Sequence, residues 1–561
     1  MSSIPLSNDL PVNFYVLKEP GFSEPGDPNR PNRLCICFSD VHFTDGTVGV
    51  QSADDVVWEE VFDNIMDMCV DFQVEELTLL LAGDVADMIR TKRWAEVGVY
   101  PWEREKSEFK TILRDIMREI VRIHTQPPSP SGKTGFFYLL KQLPKALEQY
   151  EYRNGDRNEH KKSRVRQIRT LALVGNHDKE ILSDDDTLKM FYEDCLGQPV
   201  ETLSDEYRRW VGKMYFDDEN HYLDDGRKSV PWLPFYWGDE GFRLFVTHGQ
   251  WRDPDNSRSI EAREGTDGWN VEDGWRPDVW QKLEYRPFTE PCFGDTVAAG
   301  LLSGFIYRAK EKLPPLEKVL RDSGKLGSEN GEAENAIRRL KRVLDELDLY
   351  RPTAAAVQRI ILETRLLRKI DHHLISVRTM IEGELVDSIH AWLDWKFTME
   401  SAPPSARWIL RIAKPIIAAM AVFGAPIELW FLYWIMSLLA WRQRWHRDEP
   451  SYDEMLKFPA FLEEYRKRGF RIHGEGHTHI PLQEELYFDT PKDRQNYTYI
   501  NFGAWRDQLV PKEKQGYRRR GIGRALAVLD KAGKGEGQPP LFAYWVQDVL
   551  SWGDKADRLD L

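Results

Sequence analysis

The sequence predicts an α/β fold in which a β-sheet core is interrupted by a large, mostly helical insertion. Six short apolar runs end in polar residues, as buried strands do before a loop. Between the first two runs, residues 53–72 place apolar side chains at helical spacing, so the order is strand, loop, helix, strand. With 561 residues, of which 41% are hydrophobic, the chain can bury a sizeable core. The six runs are residues 33–43, 76–87, 168–178, 241–249, 465–479 and 496–505.

The predicted elements divide the chain into three parts. Residues 33–250 form the first part of the core, with a helical insertion at about residues 88–165. Residues 251–454 form a second, mostly helical insertion, and residues 455–550 return to the core. The length suits several domains or one core with large insertions, and the order of the strand-like runs favours the second arrangement.

Composition limits the function and the location. The formal net charge of −14 argues against broad, non-specific nucleic-acid binding. The five cysteines have no metal-ligand spacing, which predicts a reducing compartment rather than a disulfide framework. The first residues do not combine a basic region with an apolar one, so we expect no signal peptide. These features predict a cytoplasmic protein, with peripheral membrane association as an alternative.

Polar side chains that bind metal ions well follow each predicted strand. They offer carboxylate or amide oxygens and imidazole nitrogens, with no thiolate among them. Because ligands bind at the carboxyl ends of strands in α/β sheets, we expect these side chains to converge. The donor set suits manganese, iron or zinc. The residues are Asp40, His42, Asp84, Asp87, Asn176, His177, Asp178, His248, His477 and His479.

Each of these fragments has an ordinary structural explanation when it is taken alone. A single Asp-x-His or His-x-His pair is common by chance, and an isolated histidine is more often a satisfied polar residue than a ligand. Gly-Asn-His-Asp at 175–178 also fits a simple turn. The metal site is favoured because all the fragments occur in order, each after an apolar run.

The ordered motifs resemble those of the calcineurin-like metallophosphoesterases, whose pattern is DxH, GDxxD, GNH[D/E], an isolated histidine and GHxH. The resemblance covers roughly residues 33–250 and 455–550. It implies a two-sheet αββα metallophosphoesterase sandwich with a two-metal site at its edge. It also implies hydrolysis of phosphoester, phosphodiester or pyrophosphate bonds. The matching segments are DVH at 40–42, GDVAD at 83–87, GNHD at 175–178, THG at 247–249 and GHTH at 476–479.

The resemblance implies a role for each motif residue. Asp84 and a hydroxide would bridge two divalent transition-metal ions, expected to be manganese, with iron or zinc as alternatives. His177 would face the scissile phosphate without binding metal, and Asp87 would orient or charge-stabilise His177. The ligands of one ion would be Asp40, His42 and His479, and those of the other Asn176, His248 and His477.

The resemblance implies a phosphate-containing substrate, whose type the motifs leave open. In the family's phosphoprotein phosphatases an arginine follows the second motif, but Met88 stands there, which speaks against protein dephosphorylation. Arg90 could replace that arginine only by analogy. GNHD also occurs in nucleases of the superfamily, so a nuclease is the runner-up. An alternative of another class is a non-catalytic metal-binding scaffold that presents the helical insertion to a partner. The presence of His177 and of every predicted ligand favours an enzyme.

Residues 415–441 predict a broken helical hairpin. Glu428 is the one charged residue in this segment, and Gly424 and Pro426 divide it into halves too short for a membrane span of about 20 residues. Tryptophans in the second half and the basic sequence RQRWHR after it resemble interfacial anchoring. The hairpin would be a buried helix pair, an element that contacts a membrane surface or an apolar ligand, or, as the least favoured alternative, a single span. The tryptophans are Trp430, Trp434 and Trp441.

Overall fold

The computed structural model contains two mixed β-sheets and many helices, which confirms the α/β prediction. This architecture is compatible with the predicted two-sheet sandwich. The structure describes residues 14–16, 30–48, 53, 55–128, 134–153, 160–198, 220, 233, 236–250, 253, 255–257, 290–322, 332–349, 355–361, 375–420, 425–446, 469–490, 493–511, 517–533 and 541–549.

The longest strands lie near the end of the described chain. In chain order the strands are β1 (Phe14–Val16), β2 (Arg33–Phe38), β3 (Glu76–Leu81), β4 (Glu151–Arg153), β5 (His160–Lys162), β6 (Gln167–Ala172), β7 (Tyr236–Asp239), β8 (Leu244–Thr247), β9 (Ile472–Glu475), β10 (Leu482–Thr490), β11 (Asp493–Asn501), β12 (Gly503–Pro511), β13 (Tyr517–Lys531) and β14 (Leu541–Val549).

Helices separate the strands of the core and fill the long insertion. The core helices are α1 (Asp55–Asp71), α2 (Arg93–Val97), α3 (Ser107–His124), α4 (Phe136–Gln149) and α5 (Asp185–Met190). The main insertion helices are Gly304–Asp322, Glu332–Glu346, Ile375–Asp394, Lys396–Ser401, Pro404–Met420 and Ala425–His446.

The first sheet has the strand order β1-β14-β13-β2-β3-β6, and β12 also pairs with β13. Its central strands β2, β3 and β6 are parallel. Parallel neighbours need a crossover connection, and α1 lies between β2 and β3 in the chain, whereas α3 and α4 lie between β3 and β6. The carboxyl ends of these three strands therefore lie at one edge of the sheet.

The second sheet has the order β10-β11-β9-β8-β7. Its strands β8, β9 and β11 are parallel. Strands β8 and β9 are neighbours although the long helical insertion separates them in the chain. The insertion therefore leaves the second sheet after one of its strands and returns directly beside it.

Alternating side chains of the strands build two different cores. In β2, Leu34, Ile36 and Phe38 join the apolar cluster that also contains the buried faces of α1, α3 and α4. Cys35 and Cys37 point the other way and join a cluster that contains residues of both sheets. The two sheets therefore pack face to face, and the helices cover the outer face of the first sheet. Both cysteines are buried and free.

The insertion helices surround a separate apolar cluster, which we call the insertion core. Most of its members come from the insertion helices, but Val48 and Leu509 belong to the sheet part of the chain and join it too. Helices Pro404–Met420 and Ala425–His446 pack against each other. The predicted break at Gly424 and the side chains of Glu428 and Trp430 lie outside the described residues. Among the helices that the structure describes, none has the length and apolarity needed to cross a membrane.

Candidate metal centre

The predicted ligands lie in loops that directly follow five strands. Asp40 lies two residues after β2, His248 immediately after β8 and His477 two residues after β9. Left-handed backbone is rare for residues other than glycine, and it marks strain that surrounding structure must impose. Among the described non-glycine residues, seven have positive φ, and five of these are predicted ligands: Asp40, His42, Asp84, His477 and His479.

Two motif glycines allow the loops to approach one another. A Cβ atom on Gly175 would lie 2.2 Å from Asp84 Oδ1, and one on Gly476 would lie 2.2 Å from Asp40 Oδ2. Real Cβ atoms do not approach so closely, so no larger residue fits either position without moving a carboxylate. The glycines of the third and fifth motifs are therefore required by packing at the site itself.

One group of donors consists of Asp40, His42, Asp84 and His479, all buried, with ligand atoms within 4.8 Å of one another. His479 Nε2 lies 3.0 Å from Asp40 Oδ1 and 3.1 Å from His42 Nε2. Asp84 Oδ2 lies 3.6 Å from His42 Nε2. These residues could hold a metal ion.

The hydrogen bonds of His42 leave a lone pair that faces two carboxylates, an arrangement that a cation would satisfy. Its Nδ1 donates to Asp87 Oδ2 at 2.9 Å, and burial lowers the pKa of His42 to about 4, so the ring is neutral. Its Nε2 therefore presents a lone pair to the Asp40 and Asp84 carboxylates. A proton on His479 Nε2 can form a hydrogen bond to only one of these acceptors at a time, whereas a cation could be coordinated by all of them.

A second group of donors consists of Asn176, His248 and His477, beside the same Asp84 carboxylate. Asn176 Oδ1 lies 2.9 Å from His477 Nδ1 and 3.2 Å from His248 Nε2. His248 Nε2 also lies 3.4 Å from Asp84 Oδ2, while its Nδ1 donates to the Ala82 carbonyl at 2.9 Å. Burial would lower the pKa of His248, but the carboxylates of Asp84 and Asp40 raise it to about 10. The surroundings thus favour positive charge here too.

Asp253 fixes the orientation of two members of this second group. It accepts from His477 Nε2 at 3.0 Å, which leaves the lone pair of His477 on Nδ1. Asp253 also accepts from Asn256 Nδ2 at 2.7 Å. The side-chain oxygen Oδ1 of Asn256 therefore faces Asn176 Nδ2, at 3.4 Å. The Asn176 oxygen is thereby directed at His477. Burial would raise the pKa of Asp253, but the hydrogen bond from His477 lowers it to about 2.

Asp87 connects a predicted ligand with the predicted catalytic histidine. Its Oδ2 accepts from His42, and its Oδ1 accepts from His177 Nδ1 at 3.0 Å. Burial alone would lower the pKa of His177, but Asp87 and Asp84 outweigh it and raise the pKa. His42, Asp87 and His177 are close enough to hold a metal ion. Here, however, the Asp87 carboxylate lies between two N–H donors, so the contacts among these three residues do not require a cation.

Further contacts join the motif loops to one another and to the insertion. Asp178 accepts from the backbone N–H of Val85 at 2.9 Å and from that of Gly175 at 2.5 Å. Lys179, which is buried, pairs with Asp295 at 2.8 Å. Asp178 therefore ties the second motif to the third, and Lys179 ties the third motif to the first turn of the insertion helices.

The structure brings together every site residue that the sequence predicted, and it adds three. Asp253 and Asn256 follow the isolated His248 in the sequence WRDPDN, where their acidic and amide types were the available signal. Arg90 is buried beside the centre, with its Nη1 3.6 Å from Asp87 Oδ2. The sequence suggested Arg90 only as a substitute for the phosphatase arginine.

No family model matches this chain, and it has no match among the curated proteins or the solved structures. The buried Asp and His cluster and the two mixed sheets are compatible with the metallophosphoesterase resemblance.

Replacing Asp253 should weaken metal binding without removing a ligand. In Asp253→Asn the negative charge is lost and an NH2 group replaces one oxygen. Asp253 Oδ2 accepts from both His477 and Asn256, and Oδ1 accepts from the backbone N–H of Asp255, so a single amide oxygen cannot keep both the Asp253 loop and the orientation of His477 and Asn176. We expect affinity for one of two metal ions to fall roughly 10–100-fold, as is usual when a residue that orients a ligand is removed. The measurement is titration with Mn²⁺ of protein from which a chelator has removed the metal, together with elemental analysis of the metal content. Asp186→Asn, at an exposed carboxylate of α5, is the control. An Asp253 variant that binds metal as tightly as this control would contradict the assignment.

Proposed function

We propose that this chain is a metal-dependent hydrolase of phosphoester, phosphodiester or pyrophosphate bonds with a dinuclear metal site, a member of the metallophosphoesterase class that its motifs resemble. The observation that carries the proposal is the position of Asp84. Its Oδ2 lies 3.6 Å from His42 Nε2 and 3.4 Å from His248 Nε2, so one carboxylate faces both donor groups. A shared carboxylate is the arrangement that two adjacent ions require.

The donor set supports transition metals over magnesium. Imidazole nitrogens suit manganese, iron and zinc, whereas Mg²⁺ prefers oxygen ligands and keeps several of its own waters. When bound, two divalent ions would lower the pKa of water and clamp the oxygens of a phosphoryl group during in-line displacement. We propose manganese as the ion used, with iron or zinc as alternatives.

His177 is suited to donate a proton to the leaving oxygen. Its Nδ1 is occupied by Asp87, and its backbone N–H donates to Asp84 Oδ1 at 2.8 Å, so the ring is held in one orientation. Burial lowers the pKa of His177, but the Asp87 and Asp84 carboxylates outweigh it and raise the pKa, which favours the protonated ring that a general acid needs; its Nε2–H would be the donor. Asp87 positions this ring and does not itself reach the substrate.

Two features bear on the class of substrate. Met88 replaces the arginine with which the family's phosphoprotein phosphatases continue the second motif, and the net charge of −14 disfavours extended nucleic acids. We therefore propose a small-molecule or lipid-type phosphoester. A nuclease is the alternative, and DNA and RNA belong in the same substrate screen.

Removing His177 should separate catalysis from metal binding. We expect His177→Ala to keep the metal content of the wild type and to lower turnover of a chromogenic phosphodiester by roughly 10²–10⁴-fold, because a general acid is lost. Asp84→Ala is the matched variant and should lose metal and activity together. Wild-type turnover in His177→Ala would exclude the proposed acid. A wild-type protein inactive on every phosphate ester, diester, pyrophosphate and nucleic acid would favour the scaffold function.

The metal preference of the centre should be visible when metal ions are added back to the metal-free protein and its activity is measured. After removal of metal with a chelator, Mn²⁺ should restore hydrolysis of the same diester well and Mg²⁺ poorly, because the centre offers four imidazole nitrogens beside its oxygen donors. The measurement is initial rate against metal concentration for both ions, with intact folding checked by circular dichroism. Full activity with Mg²⁺ alone would contradict an imidazole-rich centre.

A further inference from the structure

Exposed apolar side chains are concentrated on one part of the insertion. Among the described residues, seven large apolar side chains are exposed, and four of them lie on helices Pro404–Met420 and Ala425–His446, which we call the tryptophan hairpin. Contiguous exposed apolar surface marks a site of interaction on a protein surface. The exposed fractions are 66% for Trp408, 41% for Ile412, 46% for Trp434 and 54% for Trp441.

The spacing of these side chains gives each helix one apolar outer stripe. Trp408 and Ile412 are four residues apart, and Trp434 and Trp441 are seven apart, so each pair lies on one face of its helix. The opposite faces are buried in the insertion core, through Leu410 and Ile417 on the first helix and Leu432, Ile435 and Leu439 on the second. The hairpin is therefore anchored on one side and presents tryptophans on the other.

The charge of the hairpin is opposite to that of the whole chain. Helix Pro404–Met420 contains Arg407, Arg411 and Lys414 and no acidic residue, in a chain of net charge −14. Arg411 is exposed next to Ile412. Lys414 pairs with the exposed Asp394. Tryptophan with arginine at the edge of an apolar face is the composition of elements that lie in the headgroup region of a bilayer.

The base of the hairpin is joined to the metal centre. Arg442, next to Trp441, donates to both carboxylate oxygens of Asp255 at 2.9 and 3.0 Å and to Ser405 Oγ at 2.6 Å. Asp255 lies two residues from Asp253, which holds His477. The residues that follow His479 are also apolar at the surface, since Ile480 and Leu482 are exposed. These contacts place the hairpin and the metal centre next to each other.

We propose that the tryptophan hairpin docks on the surface of an anionic lipid bilayer. The tryptophans and Ile412 enter the headgroup region, where apolar burial stabilises the bound state, and Arg411 meets anionic headgroups. Docking brings the metal centre to the bilayer surface. This second statement rests on the proposed function: the phosphoester that the centre cleaves is then carried by an amphiphile in that bilayer.

Vesicle flotation of the full-length protein tests docking without reference to activity. The probes are vesicles of phosphatidylcholine alone and of phosphatidylcholine mixed with phosphatidylserine, at low and high salt. We expect flotation with the mixed vesicles at low salt, less with the neutral ones, and a decrease as salt rises, because surface charges are screened. A wild-type protein that stays unbound in every condition would overturn the proposal, and so would equal binding to both kinds of vesicle.

Charge and polarity variants locate the surface. Trp408→Glu and Trp434→Glu should each weaken binding to the mixed vesicles by roughly tenfold, from the apolar area no longer buried. Arg411→Glu should weaken it by roughly fivefold or more. Val97→Glu makes the same change at an exposed apolar residue of α2 and should bind as the wild type does. Equal loss in Val97→Glu, or none in the hairpin variants, would overturn the assignment.

Two further measurements separate docking from its rivals. Hydrolysis of a soluble chromogenic diester should be unchanged in Trp408→Glu, while cleavage of a vesicle-borne phosphoester should fall with vesicle binding. Flotation of an inactive wild type would refute the proposed function and leave docking intact. If the hairpin instead pairs two copies, light scattering would give a dimer that Trp408→Glu converts to a monomer, and the docking proposal would be wrong.

Discussion

The centre depends on one constraint. Several hydrogen-bond acceptor atoms face one another around the Asp84 carboxylate. His42 and His477 each donate one ring N–H to a carboxylate, so their other nitrogens present lone pairs to oxygen atoms. Positive charge between these atoms removes the repulsion. The backbone conformations that position these side chains are strained. Each predicted ligand with left-handed backbone stores of the order of 1–3 kcal/mol of strain.

The sequence predicted which polar side chains lie together better than it predicted the sheets. Strand ends followed by Asp, Asn and His are local features, and parallel pairing of β2, β3 and β6 carries them to one edge. Long strands such as β13 were missed because its first residues, YRRRG, are basic and lack alternation. Asp253 was missed because its role depends on contacts with His477, which lies more than two hundred residues away in the chain. The αββα sandwich, the domain boundaries and the metal assignments remain predictions.

A few buried polar contacts connect the insertion to the candidate metal centre. Lys179 meets Asp295 at the start of the insertion helices, and Arg442 meets Asp255 near their end. Both pairs are buried, so breaking one partner would leave an uncompensated charge. The insertion is thus fixed to the loops that hold Asn176 and His477. A ligand or surface that moves the helices would also move these loops, so the large insertion has a direct physical connection to the candidate metal centre.

Anomalous X-ray diffraction at the manganese edge, from crystals of the full chain grown with Mn²⁺, tests the central claim most directly. The account predicts two anomalous peaks about 3.5–4 Å apart, as in two-metal sites, with Asp84 in contact with both. Asp40, His42 and His479 should surround one peak, and Asn176, His248 and His477 the other. A single peak, or a peak between His42, Asp87 and His177, would contradict the account.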